Sequence, residues 1–158
     1  MSAAGLSELV GRELPEYSFP AERGKILEFA RAVKTDDPVH LSVTGALAAG
    51  FPDVVAPPTF TAVSAHWTPP SNNVLGLDLR RVLAAGGEWE YHRPIVAGET
   101  ITVTGRVSAV EHKASRRGGI TFLTLEHTLS GADGSRLVTW RTIIGQLDAA
   151  PAEKGESA

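Results

Sequence analysis

The sequence contains no cysteine. Disulfides, thiolate catalysis and sulfur-ligated metal are thereby excluded, and the absence fits a reducing compartment. Nor does any apolar run reach the roughly 18 residues that a membrane span needs. Met1-Ser2-Ala3-Ala4-Gly5 lacks a basic stretch followed by an apolar core, so no secretory signal is expected. Positive charge is scarce: 15 Lys and Arg stand against 18 Asp and Glu, a formal net charge of −3. No basic stripe interleaved with aromatics occurs, which leaves a nucleic-acid partner without electrostatic support. The glycines form neither a Walker nor a dinucleotide pattern, and Gly118-Gly119 alone is no phosphate loop. The expectation is a soluble cytoplasmic protein with no nucleic-acid partner, no membrane partner and no cofactor.

What is present fits one domain. The chain has 158 residues, 42% hydrophobic and 21% charged, enough for one real core and too short for two ordinary domains. From Asp148 onward the sequence DAAPAEKGESA carries no large apolar side chain. Such a segment does not offset its ordering entropy, so the reading is a domain over 1–147 and a disordered tail over 148–158. The first third reads as helical. Ile26, Phe29, Ala30 and Val33 recur at helical spacing between Ala21 and Lys34, with Pro20 as a helix start. A short helix is expected over Val43–Ala49, ended by Gly50, and a buried one over Thr59–Trp67, closed by Pro69-Pro70. The second half reads as strands over 88–92, 100–110, 120–129 and 137–147, separated by turns at Ala97-Gly98, Arg116–Gly119 and Asp133-Gly134. Connections this short imply an antiparallel meander, and its apolar face needs the Thr59–Trp67 helix as a cover. The fold class is α+β, a single antiparallel sheet wrapped around a central helix.

Three stretches carry a resemblance. Thr35-Asp36-Asp37-Pro38-Val39-His40, then Gly50-Phe51-Pro52-Asp53-Val54-Val55-Ala56-Pro57-Pro58-Thr59-Phe60, then Tyr91-His92-Arg93-Pro94-Ile95-Val96-Ala97-Gly98-Glu99-Thr100 resemble the MaoC-like dehydratase family of hot-dog folds. The resemblance runs over roughly residues 8–147. The Ala-Pro-Pro-Thr-Phe form is similar to the FAS1-like N-terminal dehydratase halves, a branch that includes the A subunit of the mycobacterial (3R)-hydroxyacyl-ACP dehydratase. The resemblance implies a long helix wrapped by a sheet, units that pair, and an acyl-CoA or acyl-ACP thioester bound where two units meet. A lone unit leaves edge strands and an apolar face open, so dimerisation is also the physical expectation, and the resemblance implies a homodimer or a heterodimer with a catalytic hot-dog subunit.

Catalytic members carry Gly-Asp-x-Asn-Pro-x-His, whose Asp and His hold the water that adds to or leaves the β-carbon. An imidazole exchanges a proton near neutral pH while a carboxylate orients it and the water. Aligned on Pro38, His40 falls on the family His, Asp37 on the Asn and Thr35 on the catalytic Asp, with Asp36 one residue late. Neighbouring side chains point in different directions, so Asp36 does not simply inherit the role. Catalytic members also resemble Ala-His-Gly at the helix start, where a backbone N–H helps form an oxyanion hole. Here the residues are Ala56-Pro57-Pro58, and proline has no N–H, so the donor is absent unless Thr59 supplies one.

Candidate catalytic residues are therefore His40 and Asp36, with Thr35 at the Asp position; candidate substrate-binding residues are Pro58, Thr59, Phe60, Val63 and Trp67. Each has a plainer reading: His40 as a loop histidine, Asp36 and Asp37 as turn or capping residues, Phe60, Val63 and Trp67 as core, His66 as a partly buried helix residue. His92, His112 and His127 are dispersed, Glu90 and His92 read as a surface pair, and no metal is expected. Arg116-Arg117 reads as a hairpin tip or as a contact for CoA phosphates or a carrier protein. The leading function is a subunit of an (R)-specific 3-hydroxyacyl-thioester dehydratase or enoyl-thioester hydratase that shapes the acyl site while a partner supplies the intact Asp and His. The alternatives are a self-sufficient homodimeric hydratase using His40 and Asp36, and a non-catalytic acyl-thioester binding protein.

Overall fold

The computed structural model describes residues 3–68, 74–115 and 118–148. Helix α1 (Ala3–Ser7) leads into strand β1 (Glu13–Pro20) and helix α2 (Arg23–Ala32). A 3-10 turn (Pro38–His40), helix α3 (Val43–Ala48) and a seven-residue 3-10 helix (Phe60–His66) follow. After a third 3-10 turn (Leu79–Arg81) come β2 (Val82–Tyr91), β3 (Thr100–Ser115), β4 (Gly118–Ser130) and β5 (Arg136–Leu147). The five strands form one sheet in the order β1-β3-β4-β5-β2, with every pairing antiparallel. No helix among the described residues is long and apolar enough to cross a membrane.

Alternation along the strands sorts the sheet into two faces. Leu14, Gly105, His127, Trp140 and Trp89 face one another across all five strands. The adjoining row, on the opposite face, is Glu13, Arg106, Glu126, Arg141 and Glu88. In it Arg106 pairs with Glu126 at 3.0 Å, and Arg141 bridges Glu126 at 2.9 Å and Glu88 at 3.2 Å. The apolar face buries Ile101, Val103, Leu129 and Val138 against Phe19, Ile26, Val54, Phe60 and Val63.

The segment over Thr59–Trp67 does cover the sheet, but as a 3-10 helix over Phe60–His66 rather than an α-helix. Threefold spacing sets Phe60 above Val63 and Thr61 above Ser64, so two adjacent rows face inward and all four residues are buried. The hydroxyl row finds partners on the sheet: Trp89 Nε1 donates to Thr61 Oγ1 at 2.8 Å, and Tyr17 Oη lies 3.0 Å from Ser64 Oγ. Pro69-Pro70 lie outside the described residues.

Other expectations are corrected. The first third is not all helix: β1 pairs with β3, and Pro20 ends that strand instead of starting α2, whose N-cap position is Glu22. Proline is tolerated in β1 because it is an edge strand, and a bulge interrupts its register between Leu14 and Tyr17. Strand β2 begins six residues before Glu88, through Leu83-Ala84-Ala85-Gly86-Gly87, whose weak strand propensity is overridden by pairing with β5. The meander is limited to β3-β4-β5, with β1 and β2 at the two edges. Gly118 and Gly119 belong to β4, while Arg116-Arg117 lie outside the described residues. The Asp133-Gly134 turn forms as expected, with Gly131 N–H donating to Ser135 O at 2.9 Å and Gly134 at φ +76°. Asp148 still belongs to the folded part: its N–H donates to Gly119 O and its carboxylate meets His112.

α3 packs on the Pro38–His40 turn, and Gly45 makes the approach possible. A Cβ there would collide with the Pro38 carbonyl and ring. Gly45→Ala is therefore expected to lower the unfolding free energy by about 1–3 kcal/mol, as overpacking does. Gly24→Ala, with open space around its Cβ, is expected to be neutral or stabilising by up to about 1 kcal/mol. Urea unfolding of the two variants checks both signs.

Candidate active site

The loop that carries His40 is built from successive caps. α2 ends with Lys34 in the left-handed region at φ +57°, and Thr35 N–H returns to Ala30 O at 3.1 Å. Thr35 Oγ1 then accepts from Asp37 N–H at 3.3 Å, and Asp37 Oδ1 accepts from Val39 N–H at 3.0 Å, capping the turn that opens on Pro38. His40 closes that turn. Its Nδ1 lies 2.8 Å from the Val55 carbonyl, which can only accept, so Nδ1 carries a proton and, in the neutral ring, the lone pair is on Nε2.

Val55 is held in turn. Its N–H donates to Val39 O at 3.1 Å, and it bridges to Val96. Ala56 N–H donates to Ile95 O and Ala97 N–H to Val54 O, both at 2.9 Å. Beyond that clip, Arg93 Nη1 meets Glu99 Oε1 at 2.6 Å while Glu99 Oε2 accepts from Val96 N–H at 2.9 Å. Arg93 and Glu99 thus brace the turn around Gly98, whose φ of +92° suits glycine. On the other side, Asp53 accepts from Val54 N–H and takes the Arg23 guanidinium with both oxygens.

These contacts shape a cleft of about 330 Å³ lined by His40, residues 55–58, Phe60, Thr61 and residues 91–95. Of the sequence candidates, it brings together His40, Pro58 and Phe60. Thr59 adjoins it through Tyr91: its backbone N–H donates to Tyr91 Oη at 2.7 Å, with Thr59 in the left-handed region at φ +67°. The N–H that the two prolines cannot supply is thus present at Thr59 but already engaged. Thr35 and Asp36 are not among the lining residues, and no Asp or Glu lines the cleft among the described residues. Asp36 is exposed, and Asp37 is a cap. Val63 is core, and Trp67 packs on Phe19 with ring centroids 5.8 Å apart. His66 is exposed beside Trp67.

Tyr91 is not among the sequence candidates; its one signal in the sequence is a hydroxyl-bearing aromatic at the head of the third motif. Burial pushes its phenol up from the usual tyrosine value. A second, more apolar cavity of about 490 Å³ lies between the Phe60–His66 helix and the sheet, where His127 stacks near Trp140 at 5.0 Å. Burial pushes the His127 imidazole down, toward the neutral form. No group of three metal-ligating side chains occurs among the described residues.

Residues 8–140 match the model of the FAS1-like dehydratase domain region. The chain belongs to that FAS1-like family. A curated relative from Saccharopolyspora erythraea, named UPF0336 protein, is 35% identical over 153 residues, covering 94% of this chain and 96% of its own. Among solved structures, a MaoC-like dehydratase superposes with a TM-score of 0.80 at 27% identity, covering 91% of this FAS1-like chain and 44% of its own. The C-terminally truncated HadBC (3R-hydroxyacyl-ACP dehydratase) complex from Mycobacterium tuberculosis gives a TM-score of 0.73 at 24% identity, covering 87% of this chain and 96% of the other. The fold is therefore the hot-dog fold of the MaoC-like dehydratases, as the motifs implied.

Within this FAS1-like chain the Arg23–Asp53 pair joins α2 to the loop that ends in Val55. The Arg23 hydrogen bonds come first in holding the Asp53 carboxyl below its usual value. A carboxyl lowered by folding stabilises the protein above its unfolded pKa, and the contribution is lost as pH falls through the folded one. Asp53→Asn is expected to lower the unfolding midpoint at neutral pH, with the deficit shrinking below about pH 4. Thermal unfolding of both proteins across that range checks this.

Proposed function

We propose that this chain is one subunit of an (R)-specific 3-hydroxyacyl-thioester dehydratase or enoyl-thioester hydratase. It shapes the acyl-binding site while a partner hot-dog chain supplies the intact Asp/His pair. The observation that carries this reading is the make-up of the cleft: an imidazole with a free Nε2 and no carboxylate beside it among the described residues. In hydration the water oxygen bonds to the β-carbon, its proton passes to a base, the C=C electron pair moves toward the thioester oxygen, and the α-carbon gains a proton. The Val55 carbonyl orients His40, but it does not stabilise an imidazolium as a carboxylate charge would. The acyl group arrives as a CoA or carrier-protein thioester, and no metal or cofactor takes part.

Pairing is supported from two directions. β2 lies at the open edge of the sheet, with Leu83 and Tyr91 exposed, and an unpaired edge is a template for another strand. The HadBC structure is a complex, and the MaoC-like dehydratase chain is more than twice the length that this chain covers. The self-sufficient homodimer, with His40 and Asp36, draws on one observation: the His40 tautomer is already the one a general base needs.

The test is hydration of crotonyl-CoA and of a longer trans-2-enoyl-CoA. The purified chain alone is expected to show little turnover. Co-purification with a hot-dog chain carrying Gly-Asp-x-Asn-Pro-x-His is expected to restore it by at least about a hundredfold, the scale of acid–base catalysis. Turnover by the chain alone that His40→Ala abolishes overturns the subunit reading for the homodimer. Thioester binding without turnover in either state leaves the binding protein.

A further inference from the structure

The helix start at Pro57-Pro58 presents no N–H to the cleft, and the next one, on Thr59, ends on Tyr91 Oη. That oxygen therefore acts as an acceptor. Its own proton meets no acceptor among the described residues. A hydroxyl that accepts a hydrogen bond becomes a better donor, because each bond in a chain polarises the next. Tyr91 lines the cleft with His40, so one space offers a neutral O–H donor and, in the neutral imidazole, a lone pair. Tyr91 is only partly covered, but that covering still disfavours the phenolate, so the donor stays protonated at neutral pH. Thr59 holds its N–H on the phenol from a backbone conformation that favours glycine and is rare for a β-branched residue.

We propose that the Tyr91 hydroxyl is the group that binds the thioester carbonyl oxygen in this cleft, extending the Thr59 N–H through a relay of two hydrogen bonds. The inference rests on the acyl-thioester reading above. It assigns to a side chain on β2 the carbonyl contact that a backbone donor at the helix start would otherwise make. Because Tyr91 is the last residue of the open edge strand, the contact sits beside the surface where a second hot-dog unit would pair.

The probe is butyryl-CoA labelled with ¹³C at the thioester carbonyl, a saturated thioester that undergoes no hydration, added to the full chain as isolated. Difference infrared spectra are expected to show the bound carbonyl band moved to lower wavenumber in the wild type. In Tyr91→Phe the band is expected near its solution position, with binding weaker by roughly tenfold, the loss of one hydrogen bond. Equal affinity and an unchanged band shift in Tyr91→Phe overturn the assignment and leave the acyl-thioester reading intact. Tighter binding by Tyr91→Phe also overturns it, since the phenol would then obstruct the Thr59 N–H. No saturable binding by the wild type overturns both. Should Tyr91→Phe fail to fold, 3-fluorotyrosine labelling of the wild type replaces it, because the chain has 2 tyrosines and Tyr17→Phe assigns their ¹⁹F signals. The Tyr91 signal is expected to shift on saturation with butyryl-CoA, and an unmoved signal overturns the proposal.

Discussion

The seating of Phe60 and Val63 in the hollow of the sheet is the constraint on which the other features depend. Both are almost fully removed from water, and they meet residues from β1, α2, β3, β4 and β5 in one cluster. Full burial of side chains this size is worth about 1.5–3 kcal/mol each. In the 3-10 winding of this segment Phe60 and Val63 form one of two inward rows. The second row carries hydroxyls, and each must find a partner once buried. Trp89 and Tyr17 meet that need, which aligns the helix along the sheet and fixes where its first residue, and hence the cleft, lies.

From there the chemistry follows by adjacency. The helix start sets Pro57, Pro58 and Thr59 against the end of β2, while the Val54–Ala56 segment, clipped to residues 95–97, presents its carbonyl to His40. Neither arrangement needs a charged group in the interior. Carboxylates near the site serve architecture instead: Asp37 caps a turn, Asp53 holds Arg23 and Glu99 holds Arg93. Membership in the FAS1-like dehydratase family and this use of acidic residues together describe a hot-dog unit whose cleft is lined by no carboxylate among the described residues.

Much of this was legible from the residues. The Ile26–Ala30 spacing marked α2, Gly50 marked the end of α3, and Asp133-Gly134 marked the last hairpin, because in each case a local interaction decides the structure. β1 and the first half of β2 were not legible. Glu13, Pro15, Gly86 and Gly87 argue against strands on local grounds, and only pairing with β3 and β5 makes them so. In the cleft, His40 followed from its motif. Tyr91 did not, because its role depends on meeting a backbone N–H 32 positions away in the chain.

The charged row on the sheet's other face has a consequence for that meeting. Arg141 and Glu126 each hold two opposite charges, so one run of ion pairs ties β3, β4, β5 and β2 together. If β2 slipped against β5 by one residue, Glu88 would turn inward and Trp89 outward, since side-chain direction alternates along a strand. Tyr91 sits three residues beyond Glu88 on the same strand. The solvent-side row of charge is thus satisfied only in the same strand alignment that turns Trp89 and Tyr91 toward the other face, so the outer and inner faces of the sheet agree on one register.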